Sequence, residues 1–334
     1  LRGKTLNAIR GISLDLYKGE ILAIVGESGS GKSVFTKSFM GLLDQNGKVT
    51  KGKTVYFGAD DGKPIELTKL KKEKEWYKIR GHEIAMIMQD PMTSLNPLKT
   101  IGAQIMEAVL LHQDLSRADA KKKTLQYLED VGISHPERRF DQYPHEFSGG
   151  QRQRLCIARA LEVMPEVLIC DEPVSALDVS IQAQVLNLMK DIQKDLNLTY
   201  LFIAHDLSVV QYMSDRIVVM YLGKIVEVAD SRALYDEPLH PYTKALLSAI
   251  PVPDIHNTKK RQVLEGEVPS PIHKPSGCAF HNRCPHCMEI CKQQDPALAV
   301  QNMENGHMVA CHLYAEQQKK VQEAQTGKAA QSEK

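Results

Sequence analysis

Residues 26–33 read Gly-Glu-Ser-Gly-Ser-Gly-Lys-Ser, a glycine-rich octet closed by a lysine and a hydroxyl. Those residue types at that spacing handle anions. Gly26, Gly29 and Gly31 let the backbone bend until successive N–H groups converge, at a helix start that already favours negative charge. Glu27, Ser28 and Ser30 fill the rest of the loop. Lys32 supplies a cation for β- and γ-phosphates, and the Ser33 hydroxyl a ligand for Mg²⁺. The flanks separate a working cradle from a chance glycine turn. Before the loop, residues 20–25 are a short apolar run rich in branched side chains, the pattern of a buried parallel strand. After it, residues 34–43 hold no Pro and one Gly and have helical composition. Strand, loop and helix together imply a bound nucleoside triphosphate.

A second set of residues suits hydrolysis. The apolar run 167–170 ends in two adjacent carboxylates, Asp171 and Glu172. One acid at a strand's C-terminal end can hold the Mg²⁺ shell; the next can orient and polarise a water for in-line attack on the γ-phosphate. A third apolar run, 198–204, ends at His205. Taken alone, His205 reads as a surface histidine after a strand, but in this company it reads as a γ-phosphate contact. Gln89 follows the apolar run 84–88 and by itself is an ordinary polar residue. Asp178 is placed to cap a helix over 180–196. Arg152 and Arg154 read as structural, pairing with nearby acids, and Cys170 as a packed small hydrophobe.

Residues 147–154, Phe-Ser-Gly-Gly-Gln-Arg-Gln-Arg, lead into a helical stretch at 155–163 and offer a second helix start suited to phosphate. With this segment the chain resembles the ATP-binding cassette (ABC) ATPases over roughly residues 1–235. The resemblance makes 26–33 the Walker A loop, Gln89 the Q-loop glutamine and a further Mg²⁺ ligand beside Ser33 and Asp171. It makes Ser148, Gly149, Gly150 and Gln151 the signature motif, Asp171 and Glu172 the Walker B pair, Asp178 part of the D-loop and His205 the switch histidine. The fold it implies is an α/β P-loop nucleotide-binding domain with a helical subdomain at about 90–160. Catalysis would fall to Glu172, His205 and Gln89, with ATP and Mg²⁺ as the bound species. Two cassettes would sandwich two ATPs, each phosphate loop facing the other chain's Ser148–Gln151 segment. An aromatic that stacks on adenine is expected before the first strand. No candidate stands in residues 1–18, Tyr17 being too close to the loop, so the N-terminus is expected to be trimmed.

Two further stretches narrow the resemblance. Residues 89–97, Gln-Asp-Pro-Met-Thr-Ser-Leu-Asn-Pro, look like the extended Q-loop of peptide and nickel transporter ATPases. Residues 240–247 (His-Pro-Tyr-Thr-Lys-Ala-Leu-Leu), 266–271 (Gly-Glu-Val-Pro-Ser-Pro) and 277–285 (Gly-Cys-x-Phe-x-x-Arg-Cys-Pro) look like the C-terminal extension of that group. The resemblance is strongest to the D-type ATP-binding subunit of oligopeptide and dipeptide permeases. It implies a second, related ATPase subunit, two membrane permease subunits and an extracytoplasmic peptide-binding protein as partners, at the cytoplasmic face of the membrane. Nickel or another small solute is the alternative cargo. A soluble, non-transport ABC ATPase is a different class, disfavoured because neither a second cassette nor a long coiled-coil insertion is evident. A non-hydrolysing cassette is disfavoured by the intact Glu172 and His205.

Composition is consistent with this. In 334 residues, Lys plus Arg number 42 and Asp plus Glu 41, a balance that gives no support to nucleic-acid binding. No apolar run is long enough for a membrane span, and no signal peptide is visible. The expected organisation is a cassette at 1–235, an extension at 236–314 and a frayed tail at 315–334. Strand 54–57, the turn 59–62 and a hairpin about Gly223 are expected in the first part. Beyond Asp230 the strand–helix alternation is expected to give way to a connector carrying Pro238, Pro241, Pro251, Pro253, Pro269, Pro271 and Pro275.

Five of the seven cysteines lie in the extension, spaced Cys278-x5-Cys284-x2-Cys287-x3-Cys291-x19-Cys311, with His281, His286, His307 and His312 interleaved. Cysteines so dense in a poorly hydrophobic segment of a cytoplasmic protein point to a metal cross-link rather than disulfides. The permease resemblance implies a [4Fe–4S] cluster on Cys278, Cys284, Cys291 and Cys311, with Cys287 a bystander. Zn²⁺ on the same thiolates, or with His312 replacing one, and metal-free thiols are the alternatives.

Overall fold

The computed structural model describes residues 6–58, 63–250, 264–302 and 305–317. In chain order the elements are β1 (Ile21–Val25), α1 (Lys32–Phe39), β2 (Val55–Tyr56), β3 (Ile65–Glu66), α2 (Glu73–Trp76), β4 (Ile84–Ile87), α3 (Pro91–Ser94) and α4 (Ile101–His112). Then come α5 (Arg117–Asp130), α6 (Pro136–Arg139), α7 (Gly149–Leu161), β5 (Val167–Asp171), α8 (Val179–Leu196), β6 (Thr199–Ile203) and α9 (Leu207–Met213). The chain closes with β7 (Arg216–Tyr221), β8 (Lys224–Asp230), α10 (Ser231–Asp236), α11 (Pro241–Ser248), α12 (Glu289–Gln293), β9 (Ala299–Asn302) and β10 (His307–Val309). The expected turn at 59–62, Pro251, Pro253 and residues 318–334 of the expected tail lie outside the described residues.

Two compact units emerge. The first comprises residues 1–14, 22–34 and 205–334; the second comprises 15–21 and 35–204.

In the first unit, β1 runs parallel to β7, and β7 pairs antiparallel with β8 through the hairpin at Gly223. All five residues of β1 are buried, as a parallel strand's uninterrupted apolar run requires. The extension does more than connect. His240 caps α11 by accepting from the Tyr242 N–H, with Pro241 at the first helical position, where its missing N–H costs nothing. Farther on, β10 pairs antiparallel with β8 and with β9, so the extension adds two strands to the sheet of this unit. The proline-rich connector expected beyond Asp230 thus leads into strands and a capped helix. Buried Glu227 on β8 accepts from Leu239 N–H, His240 N–H and His307 Nε2, which ties β8, β10 and the start of α11 together.

In the second unit, β4, β5 and β6 are parallel neighbours in that order. The helical subdomain follows β4: α4 packs on α5 and α7, and α5 on α6 and α7. Ile101, Ile105, Val109, Ala120, Leu128, Leu155 and Ala158 fill its core without solvent contact. Helix α7 begins at Gly149, earlier than the helical stretch expected from 155, because Ser148 and Gln151 form a reciprocal cap. The expected pairing of Arg152 and Arg154 with acids is also corrected. Arg152 donates to the carbonyls of Pro144 and His145, and Arg154 to that of Val131 and to Gln184. A guanidinium carries several donors in a fixed fork, and chain turns present bare carbonyls for it. Arg159 likewise donates to Ser94 O, fastening α7 to the extended Q-loop.

Candidate functional site

The phosphate loop lies between β1 and α1. Gly26 has φ +151°, and a Cβ there would sit 2.2 Å from the Met220 carbonyl oxygen, so no other residue fits. Lys32 is buried and donates to the carbonyls of Gly26 (2.7 Å) and Glu27 (3.2 Å), folding its ammonium back over the loop. The Ser30 hydroxyl is buried with no hydrogen-bond partner. A loop that excludes a Cβ at Gly26, a lysine parked on loop carbonyls and an orphaned hydroxyl together fit a triphosphate. An incoming anion offers Ser30 a partner and Lys32 a stronger acceptor than a neutral carbonyl. Ser33 is half-buried one residue beyond Lys32 on α1, and His205 is exposed just past β6.

Other expected residues lie in the second unit. Asp171 is buried at the C-terminal end of β5. Glu172 follows with φ +50°, left-handed backbone that costs a side-chain-bearing residue about 1 kcal/mol or more. Its N–H donates to Ile203 O at 3.0 Å, and Gln89 Nε2 donates to its carboxylate at 2.8 Å. Gln89 and Glu172, 83 positions apart, are thus brought together. Ser148 Oγ accepts from Gln151 N–H and Asp178 from Ile181 N–H, so both are helix caps as well as motif residues. Gly150 is needed for close approach: a Cβ would meet Ile181 at 2.3 Å. Cys170 is fully buried, and desolvation pushes its thiol well above the ordinary range, consistent with packing rather than reactivity.

The cysteines are less simple. Cys278 N–H donates to Cys291 O at 2.8 Å. Cys291 lies near enough to Cys278, Cys284 and Cys311 for its charge to disfavour ionisation of all three. Burial first, and neighbouring thiols next, push Cys278 and Cys311 up to about 11. Cys287 is exposed, apart from those thiols except for its influence on Cys284. Among the described residues no group of three or more His, Cys, Asp or Glu side chains is arranged to hold a metal ion, so the expected iron–sulfur or zinc ligand set is not formed. Burial raises the Cys278, Cys284 and Cys311 thiols above their ordinary range, whereas metal ligation requires thiolates.

Two site residues escape sequence reasoning. Tyr242 Oη accepts from Glu27 N–H at 2.8 Å, and Arg283 makes a two-pronged ion pair with the Glu27 carboxylate at 2.8 and 3.2 Å. The signal available was that both stand inside the segments 240–247 and 277–285 that mark the extension. The left-handed Glu172 carries no sequence signal at all.

With this geometry in hand, comparison with known proteins is decisive. The ABC transporter family profile matches residues 9–175, and that of the "Oligopeptide/dipeptide transporter, C-terminal region" matches 226–291. The oligopeptide transport ATP-binding protein AppF of Bacillus subtilis is 49% identical over 312 residues, spanning 93% of this chain and 90% of that protein. This chain belongs to the ABC transporter family of ATP-binding proteins. OppF of Salmonella typhimurium, likewise described as an oligopeptide transport ATP-binding protein, is 50% identical over 88% of the cassette chain and 85% of its own. A dipeptide transport ATP-binding protein, DppD of Bacillus subtilis, is 46% identical over 93% and 90%. Among solved structures, the ATP-binding cassette MJ0796, dimeric and bound to ADP and Pi, aligns with a TM-score of 0.58 at 28% identity, covering 67% of this chain and 91% of that one. The fold is therefore the ABC-type P-loop domain with a helical subdomain and a C-terminal extension, and the activity is ATP hydrolysis coupled to transport. Among the described residues no helix is long and apolar enough to cross a membrane.

Proposed function

We propose that this cassette energises the import of oligopeptides or dipeptides as a peripheral subunit on the cytoplasmic face of a membrane transporter. The observation carrying that reading is the extension. The peptide-transporter C-terminal region is present at 226–291, and its strands and helices belong to the same compact unit as the phosphate loop. The partners are two membrane permease subunits, an extracytoplasmic peptide-binding protein and a second cassette, which in the D-type reading is a related but different chain.

In this reading residues 26–33 bind the triphosphate, Lys32 moves from its loop carbonyls to the β- and γ-phosphates, and Ser33, Gln89 and Asp171 hold Mg²⁺. The ion would neutralise charge developing on the phosphoryl oxygens. Glu172 accepts a proton from the attacking water, His205 contacts the γ-phosphate, and Ser148 to Gln151 with Asp178 face the partner cassette's nucleotide. Lys32→Ala should abolish or severely weaken Mg·ATP binding in a calorimetric titration; wild-type affinity would refute the assignment. The isolated subunit should be a poor ATPase, stimulated by the second cassette and the membrane subunits. High activity that survives dilution of a monomeric sample would refute the sandwich.

The metal centre belongs to this reading too. Cys278, Cys284, Cys291 and Cys311 are buried or half-buried whereas Cys287 is exposed, which supports them over Cys287 as ligands of a [4Fe–4S] cluster or Zn²⁺. They would have to ionise and draw together as the metal bound. Anaerobic purification with metal analysis and a visible spectrum decides it. Iron with a spectrum that bleaches on reduction supports the cluster, zinc without colour supports Zn²⁺, and neither metal refutes both.

A further inference from the structure

A carboxylate at the second position of a phosphate loop is an electrostatic oddity. Glu27 places a negative charge next to the point where a triphosphate would carry several more, and nothing in the anion chemistry of the octet calls for it. The structure shows how that charge is managed. Arg283 donates from both terminal nitrogens to the two Glu27 oxygens, and its side chain is only 8% exposed, so the pair is poorly screened. Its guanidinium also lies 6.0 Å from the Tyr221 ring centre.

The backbone of Glu27 is held as well. Its N–H points to Tyr242 Oη, and its carbonyl accepts from Lys32. Tyr242 is fully buried and packs 4.8 Å from Tyr221 and 5.5 Å from Phe280, ring centre to ring centre; Phe280 in turn meets Tyr221 edge-on at 5.3 Å. Tyr221 ends β7, and the next turn bonds the loop again through Gly223 N–H to Ser30 O at 2.8 Å. An aromatic cluster built from the extension and β7 thus fixes Tyr242 and Arg283 against one peptide of the loop. The Phe and Arg of Gly-Cys-x-Phe-x-x-Arg-Cys-Pro acquire roles that metal ligation leaves unexplained.

We propose that Arg283 and Tyr242 are positioning residues for the phosphate loop: Arg283 cancels and draws aside the charge of Glu27, and Tyr242 fixes its peptide, so that the loop accepts a nucleoside triphosphate. This rests on the reading of residues 26–33 as the ATP site. It makes the C-terminal extension part of the nucleotide-binding apparatus. Hydrogen bonding to Glu27 raises the guanidinium's proton affinity and outweighs the opposing effect of burial.

The test is Mg·ATP binding by the full chain, measured calorimetrically and repeated as the KM for ATP in the assembled transporter. Arg283→Ala should weaken binding about tenfold, the scale of a lost charge-assisted pair, with KM rising more than kcat falls. Arg283→Lys should recover part of the loss. The decisive arm is the double variant Glu27→Gln/Arg283→Ala. With the uncompensated carboxylate gone, it should bind ATP several-fold more tightly than Arg283→Ala alone, which repair of a merely unfolded extension would not achieve. Tyr242→Phe keeps the ring packing and should cost a smaller factor. If wild type binds Mg·ATP and Arg283→Ala binds equally well, or if Glu27→Gln gives no rescue, the positioning role is overturned. Failure of wild type itself to bind would overturn the nucleotide reading instead.

Discussion

The phosphate loop and the Gln89–Glu172 pair are built in opposite ways. In the loop, Lys32 is buried and donates to two loop carbonyls, Gly26 tolerates no side chain, and a cluster of tyrosines and Phe280 stands behind Glu27. Gln89, Ser148 and Asp178 are exposed; Gln89 bonds Glu172, and Ser148 and Asp178 cap their helices. A residue that recognises phosphate through backbone N–H groups needs its neighbours immobile, since misplacement of an ångström forfeits the geometry. A residue that must meet a partner chain, or respond to closure, has to remain accessible and movable. Rigidity in one unit and exposure in the other are therefore two answers to different tasks.

The largest effect that would sharpen this contrast is at Glu172. Glu172→Gln preserves size and keeps an oxygen for the Gln89 bond, but the amide cannot take a proton from water. Turnover in the assembled transporter should fall by about 10²- to 10⁴-fold, the range of general-base catalysis, while ATP binding persists. Phosphate release and nucleotide retention in the same sample separate the two. Near-normal hydrolysis would move the base elsewhere, with His205 next to be tested.

Legibility in the sequence follows the same division. Strand β1, the loop and α1 were readable because an apolar run, three glycines and a Lys-Ser pair each have one economical explanation; only the helix limits moved, to Lys32–Phe39 rather than 34–43. Residues β5, β6 and the hairpin at Gly223 were legible for the same reason. What could not be read depends on contacts between distant segments. The pairing of Arg283 with Glu27 spans 256 positions, and the strands β9 and β10 are too short and too polar to announce themselves against the prolines around them. The arginines of α7 were assigned acids because charge pairing is what a sequence shows, whereas carbonyls left bare by a turn are visible only in the fold.

The two units should also differ in how pH acts on them. His240 is buried in the first unit, and desolvation lowers its pKa from 6.5 to about 4. The unfolded chain protonates this residue below about pH 6.5 while the folded one resists, so the stabilisation present above pH 6.5 is lost as pH falls towards 4, by about 3 kcal/mol at most. Glu162 in the second unit shows the reverse. It is fully buried, takes one hydrogen bond from Thr124 at 2.8 Å, leaves its other oxygen without a partner and is pushed by burial up to about 8. Its contribution is complete below pH 4.5 and is lost as pH rises towards 8. Hydrogen exchange followed by segment should show the first unit loosening as pH falls from 6.5 towards 4 and the helical subdomain loosening as pH rises from 4.5 towards 8. His240→Asn should flatten the limb between pH 6.5 and 4, and Glu162→Gln the one between pH 4.5 and 8; limbs unchanged in both variants would assign the pH response to other groups.

The smallest effect concerns a residue that serves two ends at once. Asp178 caps α8 through Ile181 N–H at 3.0 Å, and removing such a cap typically costs about 1 kcal/mol. Asp178→Ala should lower stability by that amount, whereas Asp178→Asn, whose side-chain oxygen caps equally well, should restore it. Activity then discriminates. If Asp178 works only through the helix start, Asn restores ATP hydrolysis in the assembled transporter together with stability. If its charge acts across the interface between cassettes, the Asn variant stays stable but hydrolyses ATP slowly, and the deficit vanishes when the isolated subunit's basal rate is compared. That second pattern is the expected one, because an exposed carboxylate is more than a cap requires, and Ser148, the other cap among the motifs, does the same work on α7 without any charge.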